Sequence, residues 1–147
     1  ISLQLTIVGR GKEEENLKNF VNNNNLKGLV RLVNFTNNPY NLINSSDIFI
    51  LSSLYEGLPN VLLESQVLKK FIISTDCPTG PKEILMNGKA GFLFKPKDYK
   101  NLAKLIIYAS KNKSKLKKMS NLGYKNLFRF DYNTNIKKYY STINSIL

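Results

Sequence analysis

Up to Pro96 the chain alternates short apolar runs with amphipathic stretches. "LQLTIVG" (3–9) is an apolar run that ends in Gly and reads as a buried strand. "KEEENLKNFVNNN" (12–24) follows as a helix, with Glu13, Glu14 and Glu15 in its first turn, where negative charge complements the helix dipole. "VRLVNF" (30–35), "DIFILSS" (47–53), "FIIST" (71–75) and "AGFLFKP" (90–96) repeat the strand pattern. Between them, "PYNLINSS" (39–46), "NVLLESQVLKK" (60–70) and "PKEILMNG" (81–88) read as helices, the last closed by Gly88. Near-continuous apolar strands alternating with helices at short spacing predict an α/β fold: a doubly wound parallel sheet with helices on both faces. Strands are expected over 3–8, 30–35, 47–52, 71–75 and 91–94.

After Pro96 the pattern is helical only. "DYKNLAKLIIYASKN" (98–112) lines up Leu102, Leu105, Ile106 and Ala109 on one face, with Asp98 as its cap. "SKLKKMSNLGYKNLFRF" (114–130) and "TNIKKYYSTINSIL" (134–147) follow, each opened by Ser or Thr. No internal repeat is present. At 147 residues the chain has the size of one domain. It opens on Ile1 and runs almost at once into a strand, which reads as a fragment of a longer protein. No apolar run approaches the ~20 residues that a membrane-spanning helix needs.

Chemistry is narrowed by what the composition lacks. Histidine is absent, so the chain holds no Ser-His or Cys-His pair and no His-ligated metal. Cys77 is alone, which rules out an intrachain disulfide and fits a reducing compartment. No two aspartates stand at i and i+2, so no Asp-x-Asp metal clamp is offered. The formal net charge is +12. That balance suits phosphate-bearing partners or an anionic lipid surface, and equally a Lys- and Asn-rich bias on solvated faces. Arg10, Arg31 and Arg129 are the only arginines, few for a protein that reads bases in nucleic acid.

In open α/β sheets ligands bind outside the carboxyl ends of the strands. "GRG" (9–11), "SSLYEGLPN" (52–60) and "TDCPTGPKE" (75–83) fall at such ends. The second carries Glu56, and Glu64 follows it with seven residues between. Gly57 permits close approach, and Pro59 is preset for the first turn of a helix. The amides of Leu58, Asn60 and Val61 would then point outward at a helix N-terminus, which attracts phosphate. Glu64 lies four residues past Asn60, about 6 Å along the axis, and can accept two hydrogen bonds from a ribose diol. Glu56, on the loop side, can accept hydroxyls of a sugar. The plain alternative is that Glu56 is a loop residue and Glu64 a solvated helix residue.

"YEGLPNVLLES" resembles the Glu-x7-Glu segment of retaining glycosyltransferases of the GT-B fold, family 4. "LTIVGRGKEEENLK" resembles the Val-Gly-x-Gly strand and helix of that family, and "DYKNLAKLIIYA" a later helix. "DCPTGPKEIL" stands where Gly-Gly-x-Pro-Glu is commoner. This variant looks most like bacterial enzymes that add N-acetylgalactosamine to sugars on undecaprenyl diphosphate.

The resemblance implies a Rossmann-like, C-terminal nucleotide-sugar domain over 1–147, half of a GT-B enzyme. Its first strand, the Arg and Lys beside it, and the N-terminal acceptor domain would lie upstream. Glu64 matches the ribose-binding glutamate and Glu56 the one facing the donor sugar. Gly57, Leu58, Pro59, Asn60 and Val61 match the diphosphate-contacting turn. Gly9 and Gly11 match the glycine turn near the donor, and Asn34 and Phe35 the stretch that meets the base. Thr79, Gly80, Pro81 and Glu83 occupy the variant loop without roles that carry over. The implied partners are a UDP-sugar donor and a lipid-diphosphate-linked or other glycan acceptor, with no metal and no nucleic acid. The implied location is cytoplasmic, with the inner membrane face as the anionic surface. Two other classes remain in view: a nucleotide-sugar binding module without transfer chemistry, and a glycoside hydrolase. A hydrolase needs its two carboxylates on opposite faces of one bond, whereas Glu56 and Glu64 share a strand-turn-helix unit.

Overall fold

The computed structural model describes residues 3–146. The chain divides into two compact units, the first ending at Pro39 and the second beginning at Tyr40.

In the first unit β1 (Leu5–Val8) pairs in parallel with β2 (Val30–Val33), Leu5 opposite Val30 and Val8 opposite Val33. Helix α1 (Glu14–Asn23) connects them. Glu14 and Glu15 occupy its first turn, Glu13 is the cap residue, and Lys18 pairs with Glu14 at 2.8 Å. The sequence predicts a buried β1. The strand is instead mostly exposed, with only Ile7 half-buried. An apolar run shows that a strand can be buried, but burial needs neighbours, and β1 has one strand partner among the described residues.

The second unit starts with α2 (Tyr40–Ser45) and continues through β3 (Ile48–Leu51), α3 (Asn60–Val67), β4 (Phe71–Thr75), α4 (Pro81–Ile84) and β5 (Phe92–Phe94). Its sheet runs β3-β4-β5, all parallel, with Ile48 opposite Phe71 and Ile73 opposite Phe92. The central strand is buried throughout. Its alternation feeds two cores, as a pleated strand with helices on both faces requires. Phe71 and Ile73 pack with Phe94, Ala109 and Leu116, while Ile72 packs with Leu62, Ile84 and Leu85. So α5 (Tyr99–Lys111) and α6 (Lys113–Lys125) cover one face, and α3 and α4 the other. Phe71 and Phe92 meet edge to face at 4.9 Å.

The five expected strands are all present, slightly shortened, but they form two parallel sheets where the sequence reading expected one. No described strand is hydrogen-bonded to both β1 and β3.

Helix ends differ where local chemistry overrides the apolar pattern. Asp98 caps α5 as expected, accepting from Asn101 N at 3.0 Å. Helix α6 begins at Lys113 without a side-chain cap and gives way to a 3-10 turn at Leu127–Phe130. Helix α7 (Tyr132–Asn144), capped by Asp131, begins two residues before the Thr-led start expected from sequence. The Asp131 carboxylate accepts from Thr134 N at 2.8 Å and Thr134 Oγ1 at 2.9 Å, so Thr134 serves the cap instead of being it. Helix α3 stops at Val67, short of Lys70, because Lys69 turns left-handed at φ +55°.

Candidate functional site

The first unit gathers its four predicted residues at the carboxyl ends of β1 and β2. Gly9, one residue past β1, donates its N–H to Val33 O at the end of β2 at 3.0 Å, and Glu14 N donates to Gly11 O at 3.1 Å where α1 begins. The glycine turn therefore carries the chain directly from ladder to helix. Asn34 and Phe35, expected within the second strand, leave it instead, and Phe35 is exposed. An open groove of about 510 Å³ is bordered by Gly9, Arg10, Gly11, Glu14, Leu32 and Asn34. A smaller hollow of about 360 Å³ is formed by Arg10, Glu14, Asn34 and Phe35. Arg10 lines both, its guanidinium 5.9 Å from the Phe35 ring centre. Its place between the two glycines of a strand-to-helix turn puts it there. Lys18, at the rim of the larger groove, has its pKa raised by the hydrogen bond it donates to Glu14.

In the second unit the turn between β3 and α3 carries the two glutamates. Pro59 is buried, but it caps α3 and does not form its first turn: its carbonyl accepts from Leu62 N at 2.9 Å. The helix begins at Asn60. The amides of Leu58, Asn60 and Val61 donate to nothing among the described residues. Such leading N–H groups carry the positive end of the helix dipole. Glu64 is half-buried on α3, beside the buried Leu62, Ser65 and Gln66. Glu56 is half-buried in the turn. Neither carboxylate takes a hydrogen bond or ion pair among the described residues. These are acceptors at a strand end, next to unused amides, with capacity for hydroxyl donors.

The loop after β4 is fastened to this turn. Thr75 Oγ1 donates to Ser53 O at 2.6 Å, and Thr79 Oγ1 donates to the Glu56 carbonyl oxygen. Gly80 lies against Gly57 and Pro59, with φ +84°. Cys77 is buried under the loop, its Sγ 4.0 Å from Thr79 O. Sequence reading left Thr79 and Gly80 without roles, because their partners are backbone atoms more than twenty residues away. Behind them, the last carbonyls of α4 are held by Gln66 Nε2, which donates to Ile84 O at 3.2 Å, and by Arg129, which reaches Glu83 O at 3.3 Å.

Among the described residues no three His, Cys, Asp or Glu side chains come together as a metal site. No described helix is long and apolar enough to cross a membrane.

Known proteins share this fold and part of this sequence. The chain is 40% identical over 106 residues to an uncharacterized glycosyltransferase of Methanocaldococcus jannaschii, covering 63% of this chain and 26% of the relative. It is 33% identical over 91 residues to the N-acetylgalactosamine-N,N'-diacetylbacillosaminyl-diphospho-undecaprenol 4-alpha-N-acetylgalactosaminyltransferase of Campylobacter jejuni, covering 62% of this chain and 25% of that one. It therefore spans about a quarter of the length of these curated relatives. Anabaena HepE, solved in complex with UDP, superposes with a TM-score of 0.83 at 21% identity, over 97% of this chain and 41% of HepE. The family model for glycosyl transferases group 1 matches residues 1–126, so the Glu-x7-Glu turn, the glycine turn and the parallel strands that position them all lie within it, and the chain belongs to that family.

Proposed function

We propose that this chain is the donor-binding domain of a retaining glycosyltransferase of family 4. It moves a sugar, an N-acetylhexosamine such as N-acetylgalactosamine, from a UDP-sugar to a glycan or lipid-diphosphate-linked acceptor. The observation that carries the reading is the turn before α3: two unpartnered carboxylates, Glu56 and Glu64, flank the free amides of Leu58, Asn60 and Val61. Glu64 accepts the ribose hydroxyls, the amides meet the diphosphate, and Glu56 accepts hydroxyls of the sugar. Support comes from the family match, from the printed acceptor chemistry of the Campylobacter relative and from the UDP held by HepE.

In this reading the departing UDP gathers negative charge on its β-phosphate. Catalysis then needs donors placed where that charge grows. The start of α3 supplies part of it, worth ~0.3–1 kcal/mol per fixed charge and up to ~2 when partly buried. Upstream cationic side chains supply the rest, and no metal is required. The net charge of +12 draws the protein to the anionic inner face of the cytoplasmic membrane, where a lipid diphosphate presents its sugar. The test is a panel of UDP-sugars with a lipid-diphosphate acceptor, using the full-length protein. Transfer from one of them with retained anomeric configuration is the expected result. Nucleotide-sugar binding without transfer would favour a binding module, and release of free sugar from a glycan would favour a hydrolase.

A further inference from the structure

We infer that Thr79 and Gly80 are positioning residues for the sugar end of the donor site: they lock the Glu56–Pro59 turn and so decide where the Glu56 carboxylate stands. This rests on the reading of Glu56 as the sugar-facing carboxylate.

The turn has little of its own to hold it. Tyr55 is 81% exposed and Leu58 48% exposed, and Gly57 has open space around its Cα. No side-chain hydrogen bond links one turn residue to another among the described residues. What fixes it comes from the loop after β4. Thr75 ties the base of the turn at Ser53, and Thr79 ties its middle at the Glu56 carbonyl. Holding that carbonyl fixes the plane of the Glu56–Gly57 peptide, and with it the direction in which the Glu56 side chain leaves the backbone. Gly80 then packs against the next peptide. A Cβ there would collide with Gly57 O and stand 2.5 Å from Pro59 Cδ. Gly80 is needed a second time by its own backbone, since φ +84° suits glycine and strains other residues.

The lock has a firm base. Gly80 O accepts from Ile84 N at 2.9 Å, and α4 is anchored at its far end by Gln66 and Arg129. A side-chain hydroxyl on the exposed loop thus connects the turn to buried structure.

Glu64 stands outside this arrangement. It sits on α3, whose packing involves Leu62, Ser65 and Gln66 rather than Thr79. Loss of the Thr79 hydroxyl therefore acts on the sugar end and spares the nucleoside end. A misplacement of about 1 Å at such a group costs on the order of a hundredfold in rate.

The experiment compares Thr79→Val, Thr79→Ser and wild type in the full-length protein. The backbone amide order parameters of Gly57 and Leu58, read by NMR without any donor, should fall from the rigid range of about 0.85 to below about 0.6 in Thr79→Val and stay near wild type in Thr79→Ser. With the UDP-sugar that the wild type uses, Thr79→Val should lower kcat about ten- to a hundredfold and weaken UDP binding by a smaller factor, through the Leu58 amide, and Thr79→Ser should restore most of both. Thr79 is exposed, so the valine variant should fold, as circular dichroism will verify. Unchanged order parameters in Thr79→Val overturn the lock. Lowered order parameters with UDP binding weakened more than kcat overturn its assignment to the sugar end. A wild type that neither binds UDP nor transfers sugar defeats the functional reading instead, and the order-parameter comparison still decides whether Thr79 holds the turn.

Discussion

Gly80 stands so close to the carbonyl oxygen of Gly57 that no side chain fits between them. Gly57, on the other side of that contact, has nothing within 4 Å of the place a Cβ would occupy. Two glycines on neighbouring loops therefore serve different ends. One is required by crowding and by its backbone angle. The other leaves an open surface beside Glu56.

That asymmetry predicts unequal substitutions. Gly80→Ala should destabilise the protein by about 1–3 kcal/mol, the range for a strained backbone site, with the collision adding to it. Gly57→Ala should change stability by no more than about 1 kcal/mol. Urea denaturation of the two variants checks this. Equal losses would mean that the loops do not meet as described.

Glu64→Ala should weaken UDP binding by roughly 1–3 kcal/mol, the cost of hydrogen bonds to a charged group. The change should leave the fold intact, since the Glu64 carboxylate has no partner to lose among the described residues. Calorimetry with UDP decides it. Equal affinity in the variant would remove Glu64 from its role.

The lysines that follow α5 and open α6 are all exposed. If they meet anionic lipid, each adds about 1 kcal/mol near the surface. Raising salt from about 0.1 M to 1 M shortens the screening length from roughly 10 Å to 3 Å. Binding of the full-length protein to anionic vesicles should fall steeply over that range. Salt-independent binding, or none, would leave the charge as composition alone.

Asp131 gives a pH dependence with a definite sign. Its carboxyl is held below the ordinary aspartate range, first by the hydrogen bond from Thr134 N and then by the one from the Thr134 hydroxyl. A lowered folded-state pKa contributes stability above the unfolded value, lost as pH falls through the folded one. Helix α7 should therefore lose helicity below the ordinary carboxylate range in wild type. Asp131→Asn should flatten that acid limb. Circular dichroism from pH 7 to about pH 2 compares the two.

Legibility followed the range of the forces involved. Strand β4 was readable because a short run led by three bulky apolar residues, Phe71 to Ile73, and flanked by helical stretches has few other uses. The Asp98 cap was readable because its partner is three residues away. The start of α7 was misread because Asp131 and Thr134 share one cap, and the acceptor is the earlier residue. The exposure of β1 was hidden because burial depends on how many strands flank a strand, which its own residues do not state. Thr79 was invisible for a stronger reason: it binds a backbone carbonyl, and every residue has one.

The last prediction separates the two glutamates by chemistry. UDP carries a ribose and two phosphates but no transferred sugar. A residue whose work is to hold sugar hydroxyls gains nothing from UDP alone, while one that holds the ribose gains everything from it. Glu56 also cannot serve the diphosphate, because like charges repel. Glu56→Gln keeps the size and hydrogen-bonding reach of the side chain but replaces a charged acceptor by a weaker neutral one. In the full-length enzyme this variant should bind UDP as wild type does and turn over about ten- to a hundredfold more slowly, since one charged hydrogen bond is worth roughly 1.5–3 kcal/mol. Glu64→Gln should show the reverse ordering, with UDP affinity the more affected quantity. Measuring kcat at saturating donor beside the UDP dissociation constant in both variants decides the assignment. If UDP affinity collapses in Glu56→Gln while turnover is unchanged, the two carboxylates have exchanged roles.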